Sequence, residues 1–300
     1  MKSASSRAFA LLLLALACLF WAGNWIAGRV LRDTFDPVTL NFLRWVGAAA
    51  VLAPFTWREV VAARAAIRRS AWPLVLLGLT GVASFNTLIY VGLHTTTAVN
   101  GVLLGSSAPL FILLCSWLIN RERGTLHQGV GMLISAAGIL VILSHGDVHN
   151  LLSLDIHPGD GWILLAMLVW GLYSVLLRRR PPELGGTALL FLITLIGIAL
   201  LAPFVVWHAL EVPPRWPTAA EGAGVLYLAL FASLGAYICW NRGVAVVGAN
   251  TAGFTLHLVP AFGTGLAIVL LGEAFHAFHA AGIIAILVGV IVATRPRSGG

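Results

Sequence analysis

The chain has 300 residues, of which 59% are apolar and 10% charged, with a formal net charge of +7 and a mean hydropathy of +0.95. A soluble domain carries roughly 25% charged residues, so this chain cannot cover a water-facing surface and its solvent is lipid. The basic balance would suit nucleic acid, but the arginines are dispersed through short loops between apolar runs, which reads as membrane orientation and excludes that partner.

Ten apolar runs follow one another, with approximate limits 8–28, 38–57, 72–93, 98–119, 126–144, 160–177, 186–207, 222–241, 250–271 and 278–294. Each is about the length that crosses the hydrocarbon core as a helix. Backbone amides in lipid must pair within their own segment, which rules out open strands. Lys2 and Arg7 before the first run resemble a signal peptide, but that run is paired with the sixth by the repeat described next, so it is read as a retained span. Cys18, Cys115 and Cys239 all fall inside apolar runs and read as packing residues rather than a disulfide or zinc set. With the N-terminus in the cytoplasm, 14 of the 18 Lys and Arg lie inside and 3 (Arg29, Arg32, Arg215) outside, while Arg44 falls within a span. That asymmetry predicts ten spans with both termini cytoplasmic, and the expected location is a bacterial inner (plasma) membrane.

The two halves share a pattern. Trp21 recurs as Trp170 and Arg29 as Arg178, and Leu52-Ala53-Pro54-Phe55 recurs as Leu201-Ala202-Pro203-Phe204, all at an offset of 149. Pro109, Glu122, Gly131 and Gly138 recur as Pro260, Glu273, Gly282 and Gly289 at 151. Five spans per unit is an odd number, so the second unit must enter the membrane from the opposite side. The expected fold is an all-α membrane protein of ten transmembrane helices in two inverted five-helix repeats. Its expected parts are residues 1–147, an extracytoplasmic linker 148–159, and residues 160–300. Such repeats place a substrate site near the midplane and rock around it.

Phe20-Trp21-Ala22-Gly23-Asn24-Trp25 in the first span and Val169-Trp170-Gly171-Leu172-Tyr173 in the sixth resemble the aromatic-glycine opening of the drug/metabolite transporter superfamily, EamA type. The arrangement of Pro109, Glu122, Gly131 and Gly138, its repetition in the second half, and Arg44 in the second span also fit that pattern. The resemblance covers almost the whole chain. It implies a ten-helix carrier that often exports amino acids or other small metabolites. Ile193 stands where the repeat would put a partner for Arg44, so any arginine site is one-sided.

Polar and aromatic residues at mid-span are the candidates for binding substrate. They are Trp21 and Asn24 in the first span, Arg44 in the second, Asn86 and Tyr90 in the third, and Asn100 opening the fourth. The sixth adds Trp170 and Tyr173, the eighth Tyr237, Trp240 and Asn241, and the ninth His257. Amides and phenols facing lipid are costly, so they should meet one another or line a wet cavity. Such a cavity suits amphipathic or aromatic metabolites. Arg44 has two readings. It holds a substrate carboxylate or phosphate, or it snorkels or pairs with Asp36 or backbone carbonyls. Pro109 and Pro260 are expected to kink the fourth and ninth spans as hinges, with Ser106 and Ser107 taking up freed backbone groups. Glu122 and Glu273 are expected at span ends, in architecture or gating. No Asp or Glu lies at mid-span, and His94 and His257 are the inward titratable groups, so proton coupling is expected to be weak or indirect.

The histidines and aspartates of the linker match no zinc spacing, and neither a metal nor a cofactor is called for. The expected partners are a small-molecule substrate and the lipid bilayer, and a homodimer is left open. No GxSxG, HExxH or aspartate pair supports an intramembrane lipid-modifying enzyme, and no Walker motif supports direct use of ATP. Export of small metabolites is therefore the first reading, and multidrug efflux the alternative carrier.

Overall fold

The computed structural model describes residues 4–147, 149–152, 155–212, 217–271 and 274–295. Every long element in them is a helix. The spans are α1 (Ser5–Gly28), α2 (Pro37–Ala62), α3 (Ala71–Thr95), α4 (Asn100–Asn120), α5 (Leu126–Leu143), α6 (Pro158–Arg179), α7 (Gly186–Glu211), α8 (Ala219–Val247) and α9 (Ala249–Val269). These nine are long and apolar enough to cross a membrane, and the protein is an integral membrane protein. The last helix, α10 (Ala277–Ala293), is apolar but has 17 residues. At 1.5 Å per residue it rises about 25 Å, somewhat less than the hydrocarbon thickness of about 30 Å. Ten spans were expected, the tenth over 278–294, and among the described residues the structure gives nine helices of spanning length and this shorter one.

Local chemistry sets the ends. Asp36 starts α2 by accepting from the backbone of Val38 and Thr39 at 3.1 and 3.0 Å, ahead of Pro37 at the first helical position. Thr125 and Gln128 form a reciprocal capping box on α5. The eighth span was expected over 222–241 but runs to Val247, leaving Gly248 as the sole residue between α8 and α9. Its φ of 85° is open to glycine at little cost.

Two irregularities recur in both halves. α3 contains a π-helical stretch, Leu79–Ser84, and α8 contains one at Leu228–Gly235, starting 149 positions later. α4 breaks at residues 106–107, just before Pro109, and α9 breaks at 256–257, before Pro260. The serines were expected to take up freed backbone groups, but Ser106 Oγ donates to the carbonyl of Val102 at 2.8 Å and Ser107 Oγ to that of Leu104 at 2.6 Å, and both carbonyls already accept the backbone N–H of the same serine at 3.0 Å.

The packing also repeats with the halves exchanged. α1 packs on α8 and α9, and α6 packs on α3 and α4, while α2 pairs with α7 and α5 with α10. The α5–α10 contact is close and extensive. A Cβ on Gly138 would lie 2.6 Å from the carbonyl oxygen of Gly282, and one on Gly289 would lie 2.5 Å from that of Gly131. Backbones this near gain dispersion contacts that lipid cannot offer. Gly138→Ala is therefore expected to destabilise by about 1–3 kcal/mol, although alanine is the better helix former. Gly129→Ala on the same helix, with nothing within 4 Å, should not. Thermal midpoints of the two purified variants check this, and a midpoint unchanged in both would contradict the packing argument.

Arg7 donates to the backbone carbonyl of Thr294, so the start of α1 and the end of α10 meet at one end of the bundle. Trp72, Trp162 and Trp207 are exposed near the ends of their spans, as suits an interfacial aromatic belt.

Candidate functional site

The centre of the bundle is a layer of rings. Trp21, Trp45, Trp170, Tyr173, Tyr237 and Trp240 are all buried. Trp170 is its hub, with ring centroids 5.1 Å from Trp21, 4.5 Å from Phe85, 5.1 Å from Tyr173, 5.5 Å from Tyr237 and 5.3 Å from Trp240. Trp45 meets Tyr237 edge-on at 4.9 Å. These separations lie in the range favoured by aromatic pairs.

The π-helical stretches sit beside this layer and explain part of its shape. A π turn leaves carbonyls without their usual helical donor. Tyr237 donates to the carbonyl of Gly81, and Asn41 Nδ2 donates to those of Val82 and Ala83 at 2.9 and 3.3 Å. In the other half, Trp21 Nε1 donates to the carbonyl of Ala232 at 3.1 Å. Tyr237 and Trp21 thus each hold the irregular backbone of the opposite half, while Asn41 holds that of its own.

Arg44 lies against the layer at 0% exposure. It neither snorkels nor reaches Asp36, whose second oxygen faces His208 at 3.4 Å. Its Nε donates to Ser233 Oγ at 2.6 Å. Its Nη1 faces three acceptors, Asn24 Oδ1 at 2.8 Å, Asn86 Oδ1 at 3.0 Å and Tyr90 Oη at 2.7 Å. None of these partners is a carboxylate. Nη2 is buried with no hydrogen-bond partner among the described residues, and the same holds for Nε1 of Trp45, Trp170 and Trp240 and for Nδ2 of Asn241. Tyr173 occupies the other end of that amide, donating to Asn241 Oδ1 at 2.9 Å. The unpartnered groups on Arg44 and the rings are therefore donors, with Asn41 Oδ1 an unpartnered acceptor nearby, and among the described residues no acidic side chain pairs with the positive charge. The centre is chemically ready for a group that carries acceptors and negative charge.

Asn24 connects this charge to open space. It lines a cavity of about 60 Å³ together with Trp21, Trp25, Phe85, Trp170 and Pro260. A neighbouring cavity of about 290 Å³ shares Trp25, Val102, Val259 and Pro260 and reaches His145 and His279. The inner one is far below the roughly 300–1,000 Å³ of small-molecule pockets. The structure is thus nearly closed around the layer.

The sequence-derived candidates fall into three places. Trp21, Asn24, Arg44, Asn86, Tyr90, Trp170, Tyr173, Tyr237, Trp240 and Asn241 come together in the layer and its polar edge. Asn100 does not join them. Its amide donates to the backbone carbonyl of Asp155 at 2.9 Å and to Asp160 Oδ2 at 3.1 Å, so it ties the linker to α4. His257 lies at the break in α9, with Nε2 3.0 Å from the carbonyl of Ser106 and Nδ1 against Ser135 Oγ, which joins the breaks of α9 and α4. Pro109 is buried behind that break, and Pro260 lines the cavity. Glu122 accepts from Ser116 Oγ at 2.9 Å and pairs with Arg178, at the end of the bundle where the termini meet. Glu273 lies outside the described residues.

Sequence reasoning missed Asn41, Trp45, Phe85 and Ser233. Asn41 was within reach, being three residues before Arg44 and so on the same helical face. Ser233 had no signal, because it faces Arg44 from within a π-helical stretch that composition does not mark.

Comparison with known proteins agrees with this architecture. The model of the EamA-like transporter family matches twice, over residues 8–144 and 157–295. An uncharacterized transporter of Bacillus subtilis, YyaM, is 28% identical over 87% of this chain and 85% of its own. A probable terminal-alkyne amino-acid exporter of Streptantibioticus cattleyicolor is 26% identical over 87% of this chain and 84% of its own. A solved crystal structure superposes with a TM-score of 0.75 at 23% identity, over 96% of this chain and 97% of its own, which shows a shared fold.

Proposed function

The chain belongs to the EamA-like transporter family and is a secondary carrier of small molecules, and from that premise we propose that it exports amino acids with bulky apolar side chains by alternating access. The family is a class of transporters rather than enzymes. The observation that carries the cargo assignment is Arg44, a buried guanidinium with an unpartnered Nη2 and no carboxylate among its partners. A substrate carboxylate supplies the missing charge and acceptors, and the rings around Trp170 receive an apolar side chain. The same charge disfavours cationic drugs, so it counts against the multidrug reading. The amino-acid exporter among the relatives agrees with this cargo.

The movement is proposed as rocking of two inverted five-helix units, residues 1–147 and 160–300, with α10 as the tenth crossing and both termini cytoplasmic. The recurring π stretches, the recurring breaks and the exchanged packing support two like units. Breaks at residues 106–107 and 256–257 offer hinges beside the cavity. Trp21, Asn24, Asn86, Tyr90, Tyr173, Tyr237, Trp240 and Asn241 shape the site around Arg44 and Trp170, and Pro109, Pro260 and His257 belong to the hinges. Asn100 and Glu122 brace opposite ends of the bundle.

Proteoliposomes test the reading with matched solutes. Phenylalanine should be carried and phenethylamine, which lacks only the carboxylate, should not. Equal flux of the two would remove the carboxylate assignment, and flux of neither across an amino-acid panel would remove the amino acids.

A further inference from the structure

A further cavity, of about 610 Å³, opens at the end of the bundle where the start of α1 and the end of α10 meet. Its walls carry Arg7 at the start of α1, Arg121 and Arg123 between α4 and α5, Arg178 at the end of α6, and Arg295 after α10. Glu122 is the one carboxylate on them, so five guanidiniums against one acid leave four positive charges. No residue of the aromatic layer lines this space.

Membrane orientation alone does not explain the arrangement. Orientation asks only that arginines lie near one set of headgroups. Arg58 in the last turns of α2 and Arg64 and Arg68 at the α2–α3 connection do that from exposed positions, and none of them lines the cavity. The lining arginines come from four separate places in the chain and converge. One of them is held against local preference. Arg121 ends α4 with φ 58° and ψ 23°, the left-handed conformation that favours glycine or asparagine, yet an arginine stands there with its side chain on the cavity wall.

Guanidinium forks match phosphate oxygens two at a time, and several forks from different directions suit a multiply charged anion. We propose that this cavity is a binding site for a phosphate-bearing anion, separate from the aromatic layer and independent of the transport reading. The phosphate comes either on a soluble compound or on the headgroup of an anionic phospholipid.

The test uses the full chain in nanodiscs of phosphatidylcholine alone, titrated calorimetrically with pyrophosphate and, separately, with dioctanoyl phosphatidylglycerol. Saturable binding is expected. It should weaken at least tenfold in the double variant Arg121→Gln/Arg123→Gln and less in Arg121→Lys/Arg123→Lys. It should be unchanged in Arg64→Gln/Arg68→Gln, which removes the same charge from the same end of the bundle. Arg295→Gln examines the site from α10 should the loop variant fail to fold. Pyrophosphate binding with this pattern identifies a soluble anion, and phosphatidylglycerol binding with this pattern identifies a lipid headgroup. Saturable binding of neither probe, or an equal loss in Arg64→Gln/Arg68→Gln, overturns the proposal.

Discussion

Arg44→Gln is expected to reduce uptake of carboxylate-bearing solutes into proteoliposomes by about 30-fold or more, while the thermal midpoint of the purified protein holds or rises. The two halves of that result separate the rival roles of the residue. A hydrogen bond to a charged group is worth about 1.5–3 kcal/mol, which sets the size of the transport loss. A buried charge without a countercharge costs several kcal/mol to keep, so its removal should not harm folding. Asn24 and Tyr90 retain their own hydrogen bond, at 3.0 Å, without it. Arg44→Lys keeps the charge but loses the fork that reaches Ser233 and Asn24 together, and should fall between the two. Unchanged flux with a lower midpoint would mean that the guanidinium is a strut and that cargo is recognised elsewhere.

Much of this was legible because membrane spans announce themselves. Apolar runs of about 20 residues mark the helices, and the 149–151 offset marks which positions of the two halves are equivalent, though not which spans pack together. Asn86 and Tyr90 were readable as one face from their spacing, and both meet Arg44. What escaped notice has a common physical cause. A π stretch changes hydrogen bonding without changing composition, so the carbonyls that Tyr237, Asn41 and Trp21 bind left no trace in the sequence. Nor does an amide near a span end declare its partner. Asn100 has the same chemistry as Asn24, yet it bonds to the linker, because it stands at the first turn of α4 where the chain returns from α5 to α6. Taken one by one, the arginines at the end of the bundle are topology signals, since only the folded chain brings Arg7, Arg121 and Arg295 to one wall.

Trp170→Ala should cost the protein about 3–5 kcal/mol, lowering its thermal midpoint by roughly 10 °C. The size follows from what the indole touches. Five rings stand within 5.5 Å of it, centroid to centroid, so its loss opens a hole that no single neighbour can fill. A hole lined by aromatics stays dry and accepts a matching apolar guest. Indole added to the variant should therefore recover part of the lost midpoint, by mass action on the folded state, and should do little for the unaltered protein. The rescue distinguishes packing from a general loss of order. In the carrier reading the same ring separates the small cavity beside Asn24 from the rest of the bundle. Trp170→Ala should then also shift selection toward larger side chains among the solutes carried. A small change in midpoint with no response to indole would show that the layer is loosely packed in the working protein, and the closed centre would no longer explain why this carrier must move to pass its cargo.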